Sequence, residues 1–90
     1  HDVFTGHALL LGGAEELVVV RTGVTFRDLT EAEVAWYAAT GEGRDKAGGY
    51  ALQGKGAVLV EGLEGCWSNV VGLSLPTVVL AARRLGVELV

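Results

Sequence analysis

The residues with the most obvious chemical potential lie in a glycine-rich stretch from Gly41 to Gly56. Asp45 and Lys46 precede two small residues, and a helical turn starting there would aim free backbone N–H groups at an anion. Lys46 and Lys55 would add positive charge beside such a site. The spacing excludes a Walker A loop, and a solvated surface loop with incidental charges is the alternative interpretation.

Gln53 is the second candidate in this stretch, and it stands between Leu52 and Gly54. An amide side chain offers one acceptor and two donors, which can match the N3–H and the adjacent carbonyl of uracil or thymine. Such a paired contact would contribute about 1–3 kcal/mol of base discrimination. The alternative is a glutamine that hydrogen-bonds to the backbone of its own turn.

Two acids in the same stretch, Glu42 and Asp45, have the oxygen ligands that a divalent cation prefers, although loop acids are commonly just solvated. Elsewhere, His1 and His7 lie at strand spacing on one face, but they lack the third ligand that a metal site would need. Cys66 has no activating base near it in sequence, which favours a structural thiol over a nucleophile. The ligands of a metal therefore stay open at this point.

The first part of the chain has the composition of β-strands. Val, Leu, Phe and Thr predict an antiparallel hairpin with strands from Val3 to Leu11 and from Glu16 to Phe26. Gly12-Gly13-Ala14 suits the connection between them. Further along, Ala57 to Val60 predicts a short buried strand, followed by a turn from Gly62 to Gly65.

Helical patterns alternate with these strands. Thr30 and Glu33 have the spacing of a capping box and predict a helix that runs to about Ala39. Its expected inward face is Val34, Tyr37 and Ala38. The stretch from Cys66 to Leu73 fits either a strand or a helix, and Pro76 suits the first turn of a last helix. The apolar stripe of that helix is Leu75, Val78, Val79, Ala82 and Leu85. The order of elements predicts a mixed α/β or α+β fold without a domain boundary in residues 1–90.

Composition limits the partners and the compartment. Half of the 90 residues are hydrophobic and 20% are charged, which predicts a packed core. The net charge of −4 argues against a polynucleotide partner, and no apolar run reaches the roughly 18–20 residues that span a membrane. The single Cys66 fits a reducing cytoplasm, which we take as the expected location. Because neither a disulfide nor a zinc cluster supports so small a domain, we expect a truncated domain with a missing partner surface.

A specific motif runs from Gly41 to Gly54 and reads G-E-x-x-D-K-A-G-x-Y-x-x-Q-G. It resembles the hallmark of the Maf family, the septum-formation-inhibitor proteins. Other segments resemble family motifs in the same order along the chain: H-x-V-x-T from His1, T-x-V-x-F from Thr22, the helix tyrosine at Tyr37, and N-V-V-G-L from Asn69. The resemblance therefore covers nearly the whole chain.

The resemblance implies an α/β protein with a nucleotide cleft, which hydrolyses a nucleoside triphosphate to the monophosphate and pyrophosphate with Mg²⁺ or Mn²⁺. The D-K-A-G-x-Y-x-x-Q-G form is similar to the branch acting on dTTP and UTP, and modified pyrimidine nucleotides are further expected substrates. It implies that Gln53 contributes to base choice. Asp45 and Lys46 match the motif and are assigned to the site wall or the phosphate side, and Glu42 joins them as a predicted substrate-binding residue.

Some of the family's pattern is absent from these residues. Its S-x-S-P-R-R phosphate-binding motif, a glutamate, and a D-T pair with the general base belong to an N-terminal half. We therefore expect the C-terminal portion of one Maf-like domain, with a mixed sheet and flanking helices, no catalytic residue of its own, and no activity alone. Locally, Gly43-Arg44 replaces a proline-containing pair, and Ser74 stands where the family usually has proline.

Two other classes of function fit the same residues. One is a non-catalytic module that binds nucleotides for regulation. The other is a structural fragment that pairs through open strand edges, either with a missing segment or with a second copy in a homodimer. Binding without turnover would favour the first, and concentration-dependent dimerisation would favour the second.

Overall fold

The computed structural model describes all 90 residues. Three strands form one antiparallel sheet in the order β1-β2-β3. The elements are β1 Asp2–Leu11, β2 Ala14–Phe26, α1 Glu31–Thr40, β3 Val60–Glu64, α2 Trp67–Val71 and α3 Leu75–Arg84, with a 3-10 helix at Lys55–Leu59 before β3. The predicted α/β class and the opening hairpin are confirmed.

The hairpin is long and regular. β1 and β2 pair from Asp2 opposite Gly23 to Leu11 opposite Ala14, so only two glycines form the turn. Gly12 has a φ of 59°, in the left-handed region that a glycine occupies without strain. The glycines thus permit the tight connection that sets the register of both strands.

The prediction for the third strand is wrong. Residues 57–59 belong to the 3-10 helix, and β3 begins only at Val60. Gly62, expected in a turn, is paired with Thr25 of β2. A contact distant in sequence explains the shift. The backbone N–H groups of Lys55 and Gly56 donate to the Glu42 carboxylate, which follows α1 in the chain, and these bonds hold residues 55 and 56 in a tight turn.

The inward face predicted for α1 is only partly correct. Its capping box forms as predicted: Glu33 N donates to Thr30 Oγ1 and Thr30 N donates to Glu33 Oε1. However, Val34 is 53% exposed and Ala38 is also exposed, and Tyr37 is the one buried residue of the helix. Tyr37 reaches the glycine-rich loop rather than the sheet, so α1 presents one side chain instead of an apolar stripe.

The ambiguous stretch from Cys66 to Leu73 contains the short helix α2, and Pro76 lies in the first turn of α3 as predicted. Ala81 and Ala82 are the buried residues of α3. Leu75, which was expected in its apolar stripe, is 57% exposed. No helix of the chain is long and apolar enough to cross a membrane.

The core lies between one face of the hairpin and the helices α2 and α3. Its largest fully buried side chains are polar, namely Asn69, Thr22 and Ser74. Asn69 Nδ2 lies 3.2 Å from Val3 O, 3.3 Å from Val20 O and 3.0 Å from Thr22 Oγ1, which ties α2 to both strands. Asn69 Oδ1 is buried and has no hydrogen-bond partner.

The other face of the hairpin is open. Its large apolar side chains are exposed: Phe4, Leu10, Leu17 and Val19. The radius of gyration of 16.2 Å exceeds the roughly 12 Å expected for a compact chain of this length, and the molecule measures 52 × 23 × 20 Å. The long hairpin therefore extends beyond the part of the sheet that the helices cover.

Candidate functional site

The glycine-rich stretch is a series of turns between α1 and β3. Gly41 ends α1 with a φ of 70°, and its N–H donates to Ala38 O. Turn hydrogen bonds follow, including Gly49 N to Lys46 O at 3.0 Å and Gly54 N to Ala51 O at 3.3 Å. A helical turn beginning at Asp45 was expected, but the chain forms an isolated turn there, so no helix N-terminus faces an anion at this point.

Two side chains hold the second half of this loop. The Tyr37 hydroxyl donates to Glu42 Oε1 at 2.8 Å and accepts from Ala51 N at 2.9 Å. The Glu42 carboxylate also accepts from Lys55 N at 3.0 Å and from Gly56 N at 2.9 Å. These donors hold the pKa of Glu42 below its usual value, with the Lys55 and Gly56 N–H groups as the main cause. We call Tyr37 and Glu42 with their loop partners the loop clamp.

Two glycines allow the loop clamp to close. A Cβ at Gly54 would clash with the Glu42 carboxylate, and a Cβ at Gly56 would clash with Ala51 O and lie 2.9 Å from the Tyr37 hydroxyl. A side chain at Gly56 would require the loop backbone to move, and one at Gly54 would displace the Glu42 carboxylate. The loop clamp therefore depends on close backbone approach, which explains part of the glycine content of the stretch.

A cavity of about 360 Å³ lies between this loop, the start of the hairpin and α2. Lys46 and Gln53 line one side of it, and Asn69 lies on the α2 side. The remaining lining residues are His1, Val3, Phe4, Thr5, Ala47, Gly48, Tyr50, Ala51, Leu52, Val70, Val71 and Gly72. Its size and mostly apolar walls with a few polar groups are typical of a small-molecule site.

Gln53 is exposed, and its side chain has no hydrogen-bond partner in the chain, whereas Ala51, Lys55 and Gly56 on either side are bonded to the loop clamp. The alternative in which Gln53 bonds to the backbone of its own turn is therefore not what the structure has. Gln53 lines the cavity, and no group of the chain occupies its amide donors or acceptor.

The structure separates the four predicted substrate-binding residues. Lys46 and Gln53 line the cavity, whereas Glu42 and Asp45 do not. The Asp45 side chain is 83% exposed, and its Oδ1 lies 4.0 Å from Lys46 Nζ. Direct substrate contact stays a prediction for all four residues, and the geometry gives the Glu42 carboxylate a set of partners within the loop.

An aromatic cluster forms a neighbouring wall. The rings of His1, Phe26 and Tyr50 pack edge to face, with centroids 4.9–5.6 Å apart. His1 Nε2 lies 3.0 Å from the Tyr50 hydroxyl, and burial raises the pKa of Tyr50 above its usual value. The cluster holds the Tyr50 side chain in place at the edge of the cavity.

The two histidines do not form a metal site. His7 is buried, its Nε2 accepts from Ser74 N at 3.1 Å, and its Nδ1 lies 3.3 Å from Val18 O. Both ring nitrogens are thus occupied by backbone partners, with the proton on Nδ1. No group of three His, Cys, Asp or Glu side chains is arranged to hold a metal ion.

Cys66 is partly buried, and its sulfur lies 3.2 Å from Ser68 Oγ and 3.3 Å from Ser74 Oγ. These hydroxyl contacts, that of Ser68 first, lower the pKa of the thiol to about 7. Neither serine hydroxyl is a base that would activate the thiol. The structural role of Cys66 stays a prediction, and its thiol is more acidic than its sequence context indicated.

Sequence reasoning missed the loop clamp. The helical pattern places Tyr37 in the core, and the residue type of Glu42 indicates substrate or cation binding. No local pattern indicates that the two side chains accept hydrogen bonds from backbone N–H groups 13 or 14 residues further along the chain. The available signal was the family motif, which contains the glutamate and the glycine after Gln53 but does not say that they are in contact. Close approach at Gly54 is what connects them.

Comparisons with known proteins agree with the motif. The family model described as Maf-like protein matches residues 1–85. The chain is 57% identical over 89 residues to a dTTP/UTP pyrophosphatase of Myxococcus xanthus, which covers 99% of the chain and 45% of that relative. It is 52% identical over 87 residues to a dTTP/UTP pyrophosphatase of Deinococcus radiodurans, covering 97% of the chain and 45% of the relative.

A dTTP/UTP pyrophosphatase of Geobacillus is 49% identical over 86 residues, which are 96% of the chain and 46% of that relative. The chain thus spans slightly less than half the length of these relatives. The resemblance found in the motifs is confirmed by a match over nearly all of the sequence. This chain belongs to the Maf-like protein family.

Proposed function

We propose that a protein of the relatives' length containing this chain, called here the full-length protein, hydrolyses dTTP and UTP to the monophosphate and pyrophosphate. Water would attack the α-phosphorus, and the bond from that phosphorus to the bridging oxygen would break. Modified pyrimidine triphosphates with the same base edge belong to the same substrate class. The names of three relatives and the match of the family motif support this proposal.

The observation that carries the proposal is the position of Gln53. Its amide has no partner within the chain and lies at a cavity that Lys46 also lines. In this arrangement the amide would bind the N3–H and a neighbouring carbonyl of the base, and the Lys46 ammonium would lie toward the phosphates. The chain would thus supply the base side of the nucleotide site.

The hydrolytic centre requires groups that these 90 residues do not assemble. Hydrolysis at phosphorus requires a positioned base and cations that hold the departing pyrophosphate. We retain Mg²⁺ or Mn²⁺ as the proposed cofactor of the full-length protein. This chain does not fit a cation, because Glu42 is bonded to loop N–H groups and Asp45 is the only other acid in the loop. The protein ligands of the Mg²⁺ or Mn²⁺ ion would lie outside these 90 residues.

The direct test is pyrophosphate release by the full-length protein with Mg²⁺ or Mn²⁺ and each common nucleoside triphosphate. We expect turnover of dTTP and UTP that exceeds turnover of CTP and the purine triphosphates. Equal rates on all of them, or no release from dTTP and UTP, would contradict the proposal.

Cell fractionation would test the expected cytoplasmic location, and delayed septation on overproduction would test the link to septum formation.

A second candidate is a non-catalytic nucleotide-binding module. The specific observation in its favour is that the chain has a cavity with polar groups at its wall but no cluster that could hold a metal. Titration of the full-length protein with UTP distinguishes the two. Binding without any release of pyrophosphate would favour the module over the enzyme.

A further inference from the structure

We propose that Glu42 is a positioning residue for base recognition: it fixes the loop that carries Gln53, and its effect on the nucleotide passes through that side chain. The inference rests on the proposed function, because it concerns how the same site reads a pyrimidine. It differs from a substrate or metal contact, which the residue type alone had indicated.

The first step is that Glu42 is fully engaged within the chain. Its Oε1 accepts from the Tyr37 hydroxyl and from Gly56 N, and its Oε2 accepts from Lys55 N. A carboxylate that accepts charge-assisted hydrogen bonds on both oxygens is held in one orientation. Binding a cation or a phosphate-bound metal would compete with these loop contacts.

The second step is that the contacts enclose Gln53 along the chain. Ala51, two residues before it, donates its N–H to Tyr37, and Lys55, two residues after it, donates to Glu42. Gly54 N donates to Ala51 O across the same turn. The backbone of Gln53 is therefore fixed from both sides, while its side chain remains available at the cavity.

The third step concerns what this fixation does for binding. Ordering a loop residue when a ligand arrives costs conformational entropy, and a loop ordered beforehand avoids that cost. The loop clamp would therefore strengthen ground-state and transition-state binding of the base equally. Such uniform binding changes KM and leaves kcat nearly unchanged.

The closing experiment uses the full-length protein and four variants. They are Glu42→Gln, Gln53→Ala, the double variant of both, and Glu61→Gln as a matched control. Glu61 is an exposed glutamate of β3 away from the cavity. The amide in Glu42→Gln keeps the size of the side chain but turns one acceptor into a donor facing a loop N–H or the Tyr37 hydroxyl.

We expect Glu42→Gln to raise KM for UTP and dTTP by about tenfold and to change kcat by less than about twofold. The UTP preference over CTP should fall in parallel. The double variant of Glu42→Gln and Gln53→Ala should be little worse than either single variant, because both substitutions weaken the same contact between Gln53 and the base. Glu61→Gln should match the wild type. Fully additive effects, or a fall in kcat with KM unchanged, would overturn the inference.

A further variant and a second readout deal with failure to fold and with failure of the proposed function. Tyr37→Phe removes a single hydroxyl from the loop clamp and should raise KM in the same direction as Glu42→Gln. Amide exchange of Lys55 and Gly56 should be slow in the wild type and faster in both variants. Rapid exchange of these amides in the wild type would overturn the inference, whereas absent turnover and binding of pyrimidine nucleotides would overturn the proposed function.

Discussion

The glycine-rich loop and the hairpin differ in how their backbone hydrogen-bonding groups find partners and in how much apolar surface they leave exposed. In the loop, Tyr37 and Glu42 bind backbone N–H groups that no regular element would satisfy. In the hairpin, the strands satisfy each other's backbone, but Phe4, Leu10 and Leu17 remain exposed on the outer face. The loop is organised by this chain alone, whereas the hairpin has apolar surface that the helices do not cover.

This difference bears on function. The base side of the proposed site is organised within these residues, and the apolar surface of the hairpin is what would remain to be buried against another surface. Recognition and chemistry would then reside in different parts of the full-length protein. The predictions below test that division, from the largest expected effect to the smallest.

The largest effect concerns the 90-residue chain by itself. We expect no pyrophosphate release from dTTP or UTP above the uncatalysed background, because we propose that the base and the metal ligands lie outside these residues. The measurement is a pyrophosphate assay with the purified chain and the full-length protein at equal concentration. Turnover by the chain at a rate near that of the full-length protein would place the chemistry in these residues.

A smaller effect distinguishes two glycines of the two regions. Gly56→Ala places a Cβ against Ala51 O and the Tyr37 hydroxyl, and we expect it to lower the free energy of unfolding by about 1–3 kcal/mol. Gly6→Ala is the control, since a Cβ on this strand residue meets nothing within 4 Å. Denaturant unfolding of the full-length variants measures both. Equal effects would mean that close approach in the loop is unimportant.

The outer face of the hairpin provides the third test. In the 90-residue chain, Leu10→Ser combined with Leu17→Ser should weaken concentration-dependent self-association, because both side chains are exposed apolar groups on one face. Leu89→Ser is the control, since Leu89 is 53% exposed outside the hairpin. Sedimentation equilibrium measures the change. If the wild-type chain is a monomer at all concentrations, pairing through the hairpin is wrong.

The smallest effect is a pH dependence at the start of α1. The Arg27 side chain donates to Glu33, and its Nε also donates to Val58 O in the 3-10 helix. The contact with Arg27, followed by that with Thr30 N, lowers the pKa of Glu33 from 4.5 to about 2. A lowered carboxyl pKa adds stability above the unfolded value, and this contribution is lost as the pH falls from about 4.5 toward 2.

The corresponding experiment compares unfolding of wild type and Glu33→Gln in that pH range. The stability difference between them should narrow as the pH falls, and it should be constant at neutral pH. Asp28→Asn is a control, because Asp28 is a nearby acid without a salt bridge. An unchanged difference down to pH 2 would show that the contact with Arg27 is too weak to affect folding.

The sequence was sufficient for features that depend on neighbours along the chain. The capping box of Thr30 and Glu33, the opening hairpin and the position of Pro76 all follow from local rules, although Ala14, expected in the connection, is the first residue of β2. The family motif also selects Gln53 and Lys46, and their contact with a nucleotide stays a prediction. Both residues lie at the cavity.

Features that depend on distant contacts could not be predicted in the same way. The start of β3 at Val60 depends on hydrogen bonds from Lys55 and Gly56 to Glu42, which is 13 or 14 residues earlier in the chain. Helical periodicity placed Val34 on the inward face of α1 with Tyr37, but Val34 is 53% exposed and only Tyr37 contacts the loop. Periodicity indicates which residues share a face, but not whether that face meets a partner.

The central claim is that Gln53 reads the pyrimidine, and the ratio of kcat/KM for UTP to that for CTP tests it most directly. We expect Gln53→Ala in the full-length protein to lower this ratio about tenfold, which corresponds to about 1.4 kcal/mol. Lys46→Ala should lower kcat/KM for UTP and for CTP by the same factor, so that their ratio does not change. A ratio that is the same in wild type and Gln53→Ala would contradict the account.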